Sequence, residues 1–413
     1  MTELLARYKT EMQVELKSIL SFWIKNTVDN SHGGFYGKID NSGKVDIEAP
    51  KGSVLNSRIL WAFSAAYRLT SDAAYLAIAE RCFAYIRDHF LDKEFGGIYW
   101  IVDFKGNRLD SKKQFYALSF AIYGLSEFHR STGNNEAKET AIKLYNAIID
   151  YSYDSCNGGY IEALSRDWKE VHDLRLSEKD ANEKKSMNTH LHILEGFANL
   201  YLIWPDENLK QRIQELIQIF IGHIIDGRNS HLILFFDDQW NGRSDIISYG
   251  HDIEASWLIQ EAAQIIGDSV LIQKTKEVSV KLANAAEEGL DKDGGLWYEY
   301  ELVSNLLIKE KHWWPQAEAM IGFFNAWQIT GYEGYLEKSM ATWEFVKDHI
   351  IDNANKEWFW GVNEGYEIMN EDKAGVWKCP YHNTRACIEL IKRIDKTLAS
   401  HSNVVNEIDD WNK

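Results

Sequence analysis

Four stretches of the chain repeat one short pattern: SHGGFYGKID from Ser31, EFGGIYWIVD from Glu94, CNGGYIEALS from Cys156 and KDGGLWYEYE from Lys292. Each is a Gly-Gly turn followed by aromatic and β-branched residues, the chemistry of a tight turn entering a short strand. The second glycines stand at 34, 97, 159 and 295, giving gaps of 63, 62 and 136 residues. The last gap is about twice the others, so a degenerate copy is expected midway. SHLILFFDDQW from Ser230 fits that place, and KEWFWGVNEG from Lys356 supplies a sixth copy.

Between the turns lie pairs of helical patterns, such as NSRILWAFSAAYRLT followed by DAAYLAIAERCFAYIRDHFL, with apolar residues recurring at three and four. Units of two helices cannot bury their faces alone and must stack. Six such units predict an all-α fold, an (α/α)6 barrel whose inner helices line a cavity and whose short hairpins and loops gather at one mouth. An open solenoid is the competing architecture; the recurrent turns and only 4 prolines in the chain favour closure. The barrel is expected over residues 1–396, with a polar tail over 397–413.

With 45 basic against 62 acidic side chains, the net charge of −17 opposes nucleic acid and anionic membranes as partners. Four scattered cysteines without CxxC spacing give neither a disulfide framework nor a structural zinc site. The N-terminal MTELLARYKTEMQVELKSIL mixes acids and bases, unlike a signal peptide. No apolar run reaches the length of a membrane span. A cytoplasmic protein, monomeric or weakly dimeric, is the expectation. GxGxxG before a βαβ unit, GxxxxGK[ST] and GxSxG are missing, so dinucleotide, phosphate-loop and serine-hydrolase classes lack their minimum signature.

Three segments carry chemistry. In ISYGHDIEASWLIQEA, His251, Glu254 and Trp257 lie three apart on one helix edge. A carboxylate there is expected to hold one nitrogen of His251 and favour its charged form, making it a proton donor; a satisfied core histidine is the plainer alternative. In SMNTHLHILEGF, Asn188, His192 and Glu195 share a face, while His190 points elsewhere. In WKCPYHNTRACIEL, Pro380 puts His382 at a helix N-terminus, whose partial positive charge keeps the imidazole neutral and able to accept a proton. Two differently tuned histidines imply proton transfer in two directions. Arg58 enters an apolar helix, where a cavity-facing guanidinium could grip a sugar oxygen or an enediolate, although a surface Arg at a helix start is equally consistent. Tyr116, Trp314, Glu318 and Trp377 each stand at the entrance to an inner-helix candidate. Sixteen tryptophans suit stacking on sugar rings as well as core packing. HxH at 190–192 splits its rings across the helix and HExxH is missing, so no metal is expected.

The segments KGSVLNSRILWAFSAAYRL, KKQFYALSFAIYGLSEF, MNTHLHILEGFANLY, YGHDIEASWLI, KHWWPQAEAMIGF and WKCPYHNTRACIEL together resemble the cellobiose 2-epimerase branch of the N-acylglucosamine 2-epimerase family, in family order from about Leu5 to Ile394. The resemblance implies an (α/α)6 barrel without metal or nicotinamide, acting at C2 of a reducing-end sugar. It implies His251 and His382 as the acid/base pair and His192 between them at the cavity floor, assisting ring opening. Arg58, Tyr116 and Asn188 would contact the open-chain sugar, Glu254 and Glu318 would orient imidazoles, and Trp314 and Trp377 would stack on sugar rings. Asp180, in the LSEKDANEKKS loop, matches a position touching the second sugar. The expected activity is interconversion of glucose and mannose units at the reducing end of a β-1,4-linked disaccharide through a cis-enediolate. Its rivals are a 2-epimerase or aldose–ketose isomerase on free monosaccharides, a glycoside hydrolase using paired carboxylates such as Asp252 or Glu318, and a non-catalytic carbohydrate binder.

Overall fold

A computed structural model describes residues 1–411, with side chains through 400. Among the described residues, twelve helices alternate between an outer and an inner ring: α1 (Thr2–Asn26), α2 (Ser53–Thr70), α3 (Ala73–Tyr85), α4 (Phe115–Thr132), α5 (Asn135–Tyr151), α6 (Met187–Tyr201), α7 (Glu207–Ile219), α8 (Tyr249–Ile266), α9 (Ser269–Glu287), α10 (Trp313–Thr330), α11 (Glu333–Phe345) and α12 (Tyr381–Trp411). The even-numbered helices form the inner ring, each packed on the next, and α12 returns to α2. The ring is therefore closed, as the period of the turns implies. The 396/397 boundary falls within α12; side chains beyond 400 and residues 412–413 lie outside the described residues.

Local sequence explains the up-and-down path. Inner helices α2, α4, α8 and α10 end on a left-handed residue, Ser71, Gly133, Gly267 and Gly331, which turns the chain sharply. A capping Asp or Asn then starts the following outer helix: Asp72, Asn134 and Asp268, with Asp206 doing the same for α7. The inner helices approach closely where side chains are missing. A Cβ on Gly124 would lie 2.6 Å from the Ser57 carbonyl oxygen of α2, and one on Gly196 2.7 Å from that of Ser119 in α4.

All six turns sit at the N-terminal end of the inner helices. Each opens with the same antiparallel bridge, from Val28↔Phe35 through Ile225↔Leu232 to Ile351↔Trp358. The two degenerate copies therefore adopt the geometry of the four evident ones. Two-residue strands then stitch each unit to the next: 51–52 to 101–102, 113–114 to 163–164, 185–186 to 235–236, and 311–312 to 361–362. Unit four makes the equivalent pairing over three residues, 246–248 to 299–301. The Ile39↔Ala374 bridge closes the circle.

A buried lysine fastens most of these turns. Lys51 donates to Asp29 (2.8 Å), Lys113 to Asp92 (2.9 Å), Lys185 to Asp154 (2.8 Å), Lys311 to Asp291 (2.7 Å) and Lys373 to Asp352. Four of these lysines stand two residues ahead of an inner helix; in unit four that position is Ile247. There, Asp252 of α8 holds the turn instead, bonding His231 Nδ1 (2.7 Å) and the Leu232 amide (2.8 Å). Asp252 is thus committed to the scaffold and is not free for the hydrolytic role weighed above.

Candidate active site

The inner-helix N-termini gather a cluster of largely buried polar side chains at the mouth. From α2, the Arg58 guanidinium enters it, 3% exposed. Its Nη2 donates to the Tyr116 hydroxyl of α4 (2.7 Å), and its Cζ lies 4.1 Å from the Phe120 ring centroid and 4.9 Å from that of Tyr381. Aromatic faces thereby take the place of a bonded carboxylate beside a buried cation. Nε remains without a partner. Its burial excludes the surface alternative for this arginine.

Helix α6 presents the expected face. His192 Nδ1 donates to Glu195 Oε2 (2.9 Å), and the imidazole stands edge-on to Tyr116 at 5.1 Å between centroids. One turn earlier, the Asn188 Oδ1 is buried and unbonded. His190 turns away, pairing with the Ser186 carbonyl and accepting from the Tyr160 amide, a structural histidine.

His382, the second residue of α12, donates from Nδ1 to Glu318 Oε1 of α10 (2.7 Å). The same carboxylate receives Arg385 Nη2 (2.6 Å) and the Trp257 indole N–H (3.0 Å), so donors surround it. Burial, and then the guanidinium of Arg58, hold His382 well below the ordinary imidazole range. That agrees with a neutral base at a helix N-terminus.

His251 departs from expectation. Its Nδ1 pairs with the Ser248 hydroxyl (2.8 Å), not with Glu254. Glu254 Oε1 instead accepts from Arg385 Nη2 (2.6 Å) and lies 3.9 Å from His382 Nδ1. Side chains three apart share a helix edge but lean separately, and a guanidinium from another helix outcompetes an imidazole for a buried carboxylate. Without an anion beside it, burial first and His192 second push His251 down to about 3, away from the charged form. Trp257 is likewise core, its ring beneath Arg385.

Arg385 and Tyr381 are what sequence reasoning missed. The guanidinium bonds Glu195, Glu254 and Glu318, carboxylates from three inner helices, and Tyr381 also bonds Glu195. A signal existed: Arg385 follows His382 by three residues and so shares its face. The charges tune one another. Burial alone would raise Glu195, but Arg385 and His192 bring it to about 2; Glu254, buried beside Glu318, rises to about 7. Glu254, Glu318 and His382 bring three possible metal donors within 4.8 Å of one another, and Arg385 supplies the positive charge among them.

At the rim, Trp314 neighbours both imidazoles, 4.7 Å from His251 and 5.7 Å from His382 between centroids. Trp377 packs on Tyr116 at 6.1 Å. Both indoles keep partial exposure. Asp180 caps its own loop through the Ser177 amide (2.8 Å) and hydroxyl (2.9 Å), and its charge bears on Tyr298 and Glu162. Toward the opposite end of the barrel lies a chamber of about 210 Å³, lined by Arg68, Glu127, Arg130, Glu261 and Lys392 and reaching the Glu195–Arg385 pair.

The closed helical barrel presents histidines from three units near a buried arginine, and its relatives make the chain a carbohydrate epimerase, an enzyme of the isomerase class. The sequence pattern of the N-acylglucosamine 2-epimerase (GlcNAc 2-epimerase) family matches residues 34–386, and the chain belongs to that family. It is 50% identical over 385 residues to the cellobiose 2-epimerase of Bacteroides fragilis, covering 93% of this chain and 98% of that one. It is 39% identical to the cellobiose 2-epimerase of Dictyoglomus turgidum, over 91% and 96% of the two chains. The solved structure of cellobiose 2-epimerase from Bacillus thermoamylovorans superposes with a TM-score of 0.90 at 39% identity, covering 94% of this chain and all of that one. No helix among the described residues is long and apolar enough to cross a membrane.

Proposed function

We propose that this chain inverts C2 of the reducing-end sugar in a β-1,4-linked disaccharide, interconverting cellobiose and glucosylmannose. The observation that carries the reading is the pairing of His251 and His382, from units four and six, against one indole beside the Arg58–Tyr116 pair. The names of the similar proteins support the disaccharide as substrate.

His192, with Nδ1 donating to Glu195, takes the C1 hydroxyl proton at Nε2 and passes it to the ring oxygen as the C1–O5 bond breaks and the aldehyde forms. The free aldehyde acidifies C2–H. One imidazole takes that proton at Nε2, and the electron pair moves into the C1 carbonyl to give a cis-enediolate. Arg58, whose Nε has no partner among the described residues, donates to the anionic oxygen, and the unpartnered Asn188 Oδ1 accepts from the neighbouring sugar hydroxyl. The other imidazole, carrying a proton, delivers it to the opposite face of C2, and the pair has then exchanged protonation states. Burial disfavours imidazolium at both histidines, and the negative charge of the intermediate favours it. Trp377 and Asp180 meet the second sugar. The reading extends to a cytoplasmic enzyme acting as a monomer or weak homodimer, in keeping with its acidic, mixed-charge surface.

Incubation with cellobiose, lactose, glucose and mannose in deuterated water, followed by NMR at C2, tests the proposal. Deuterium at C2 with a mannose-configured disaccharide is expected. A ketose as the only product, or free glucose released from cellobiose, would overturn it.

A further inference from the structure

Six inner helices begin at the mouth, and two of them begin after a serine. At α6, Ser186 spends its hydroxyl on the helix, accepting from the Thr189 amide (3.0 Å), as a serine in that position ordinarily does. At α8, Ser248 occupies the corresponding position, 1% exposed, and makes no such cap. Its hydroxyl lies 2.8 Å from His251 Nδ1 instead, with no other hydrogen bond to that oxygen among the described residues. A helix start that gives up its own cap breaks a local rule, and such breaks gather at functional positions.

The two members of the histidine pair are consequently held by different chemistry. Glu318 receives an indole N–H and a guanidinium N–H besides His382, so it only accepts, and the proton of neutral His382 is confined to Nδ1. A hydroxyl both donates and accepts, and with no second partner it is free to rotate. When the Ser248 hydroxyl accepts, His251 carries its proton on Nδ1 and presents a bare Nε2. When the hydroxyl donates, Nδ1 is the acceptor and Nε2 carries the proton.

We infer that Ser248 is a positioning residue of the epimerisation, a rotating hydroxyl that lets neutral His251 present either tautomer to the sugar while His382 is held in one. The inference rests on the two-histidine reading above. It deepens that reading by giving the two imidazoles unlike duties. His382 is always a bare base when neutral. His251 can also donate a hydrogen bond from Nε2 to an oxygen of the open-chain sugar before it exchanges protons with carbon.

The test uses the full chain labelled with ¹⁵N-histidine, without substrate, and His251→Asn to assign the resonances. Expected are ring-nitrogen shifts averaged between tautomers for His251 and shifts of a single Nδ1–H form for His382. Ser248→Ala should move His251 toward one tautomer and lower kcat about 10- to 100-fold with little change in KM, while Ser248→Thr, which keeps the hydroxyl, restores both. Thermal melts of the variants read the fold separately. A single fixed His251 tautomer in the parent chain, or an alanine variant that is folded and unchanged in shifts and kcat, would overturn the inference. The NMR arm needs no turnover, so a parent chain that fails to epimerise cellobiose would sink the activity reading and leave the tautomer result standing.

Discussion

The two ends of the barrel are lined by the same kinds of side chain and differ in how those side chains are satisfied. At the rear, Arg68 donates to Glu127 (2.6 Å), Arg130 to Glu127 (2.7 Å) and Asn199 (3.0 Å), and Lys392 to Glu389 (3.0 Å), so most charges there have opposite partners. At the mouth, the Arg58 Nε and Asn188 Oδ1 are buried with nothing to bond, and His251 rests on a lone hydroxyl. A buried polar atom left unbonded costs stability, and such atoms also occur elsewhere in the barrel, the Nε of Arg385 and Arg393 among them. The contrast teaches that ion pairs finish most of the charges at the rear, whereas at the mouth a guanidinium nitrogen, an amide oxygen and an imidazole are left for a ligand to complete.

Substitutions at each end can break this contrast. The largest effect is expected from His251→Ala and His382→Ala, each lowering kcat by about 10³ or more, since each removes one of two proton carriers. Steady-state assays beside thermal melts check it, and near-normal turnover in either variant would remove the pair. Arg58→Ala should cost on the order of 10²–10³ in kcat, the range for losing an anion-stabilising donor.

Acid should strike next, at the clamps. Burial alone would raise the Asp154 carboxyl, but Lys185 and the loop amides bring it down to about 2. A depressed carboxyl contributes stability above its ordinary value near 4, lost as the pH falls from about 4 toward about 2, a loss of at most about 2 kcal/mol for this group. Urea midpoints at pH 6 and pH 3 measure it, and Asp154→Asn should flatten the difference. Trp377→Ala should raise KM for cellobiose by about fivefold, corresponding to about 1 kcal/mol of stacking, with a smaller change for glucose. The smallest effect is expected at the rear: Arg68→Ala, breaking a partly exposed pair, should leave kcat within about twofold and cost under about 1 kcal/mol. A large loss of rate there would erase the distinction between the ends.

The architecture was legible because a turn must recur to close a ring, and its glycines and aromatics recur with it. The site was legible where partners lie on one helix, as with Asn188, His192 and Glu195. It was illegible where the partner comes from elsewhere. Arg385 reaches Glu254 from 131 residues away, and no spacing on α8 announces that competitor to His251. Four of the five clamping lysines stand at a constant phase before the inner helices, yet a lysine beside a turn reads as solvated until the fold buries it. Ser248 reads as an ordinary helix start, and only the geometry shows its hydroxyl turned to the imidazole.

One indole has a role that its rim position hides. Trp314 touches both imidazoles, and its six-membered ring lies so close to α8 that a Cβ on Gly250 would come within 2.6 Å of it. Glycine at 250 lets that ring rest on bare backbone beside His251, while its other neighbour is His382. On the proposed two-histidine reading, a rigid aromatic plate seated on main chain is therefore what sets the two imidazoles in relation to each other. A methyl group at 250 would tip the plate, and the two imidazoles would lose their common measure although neither had been altered.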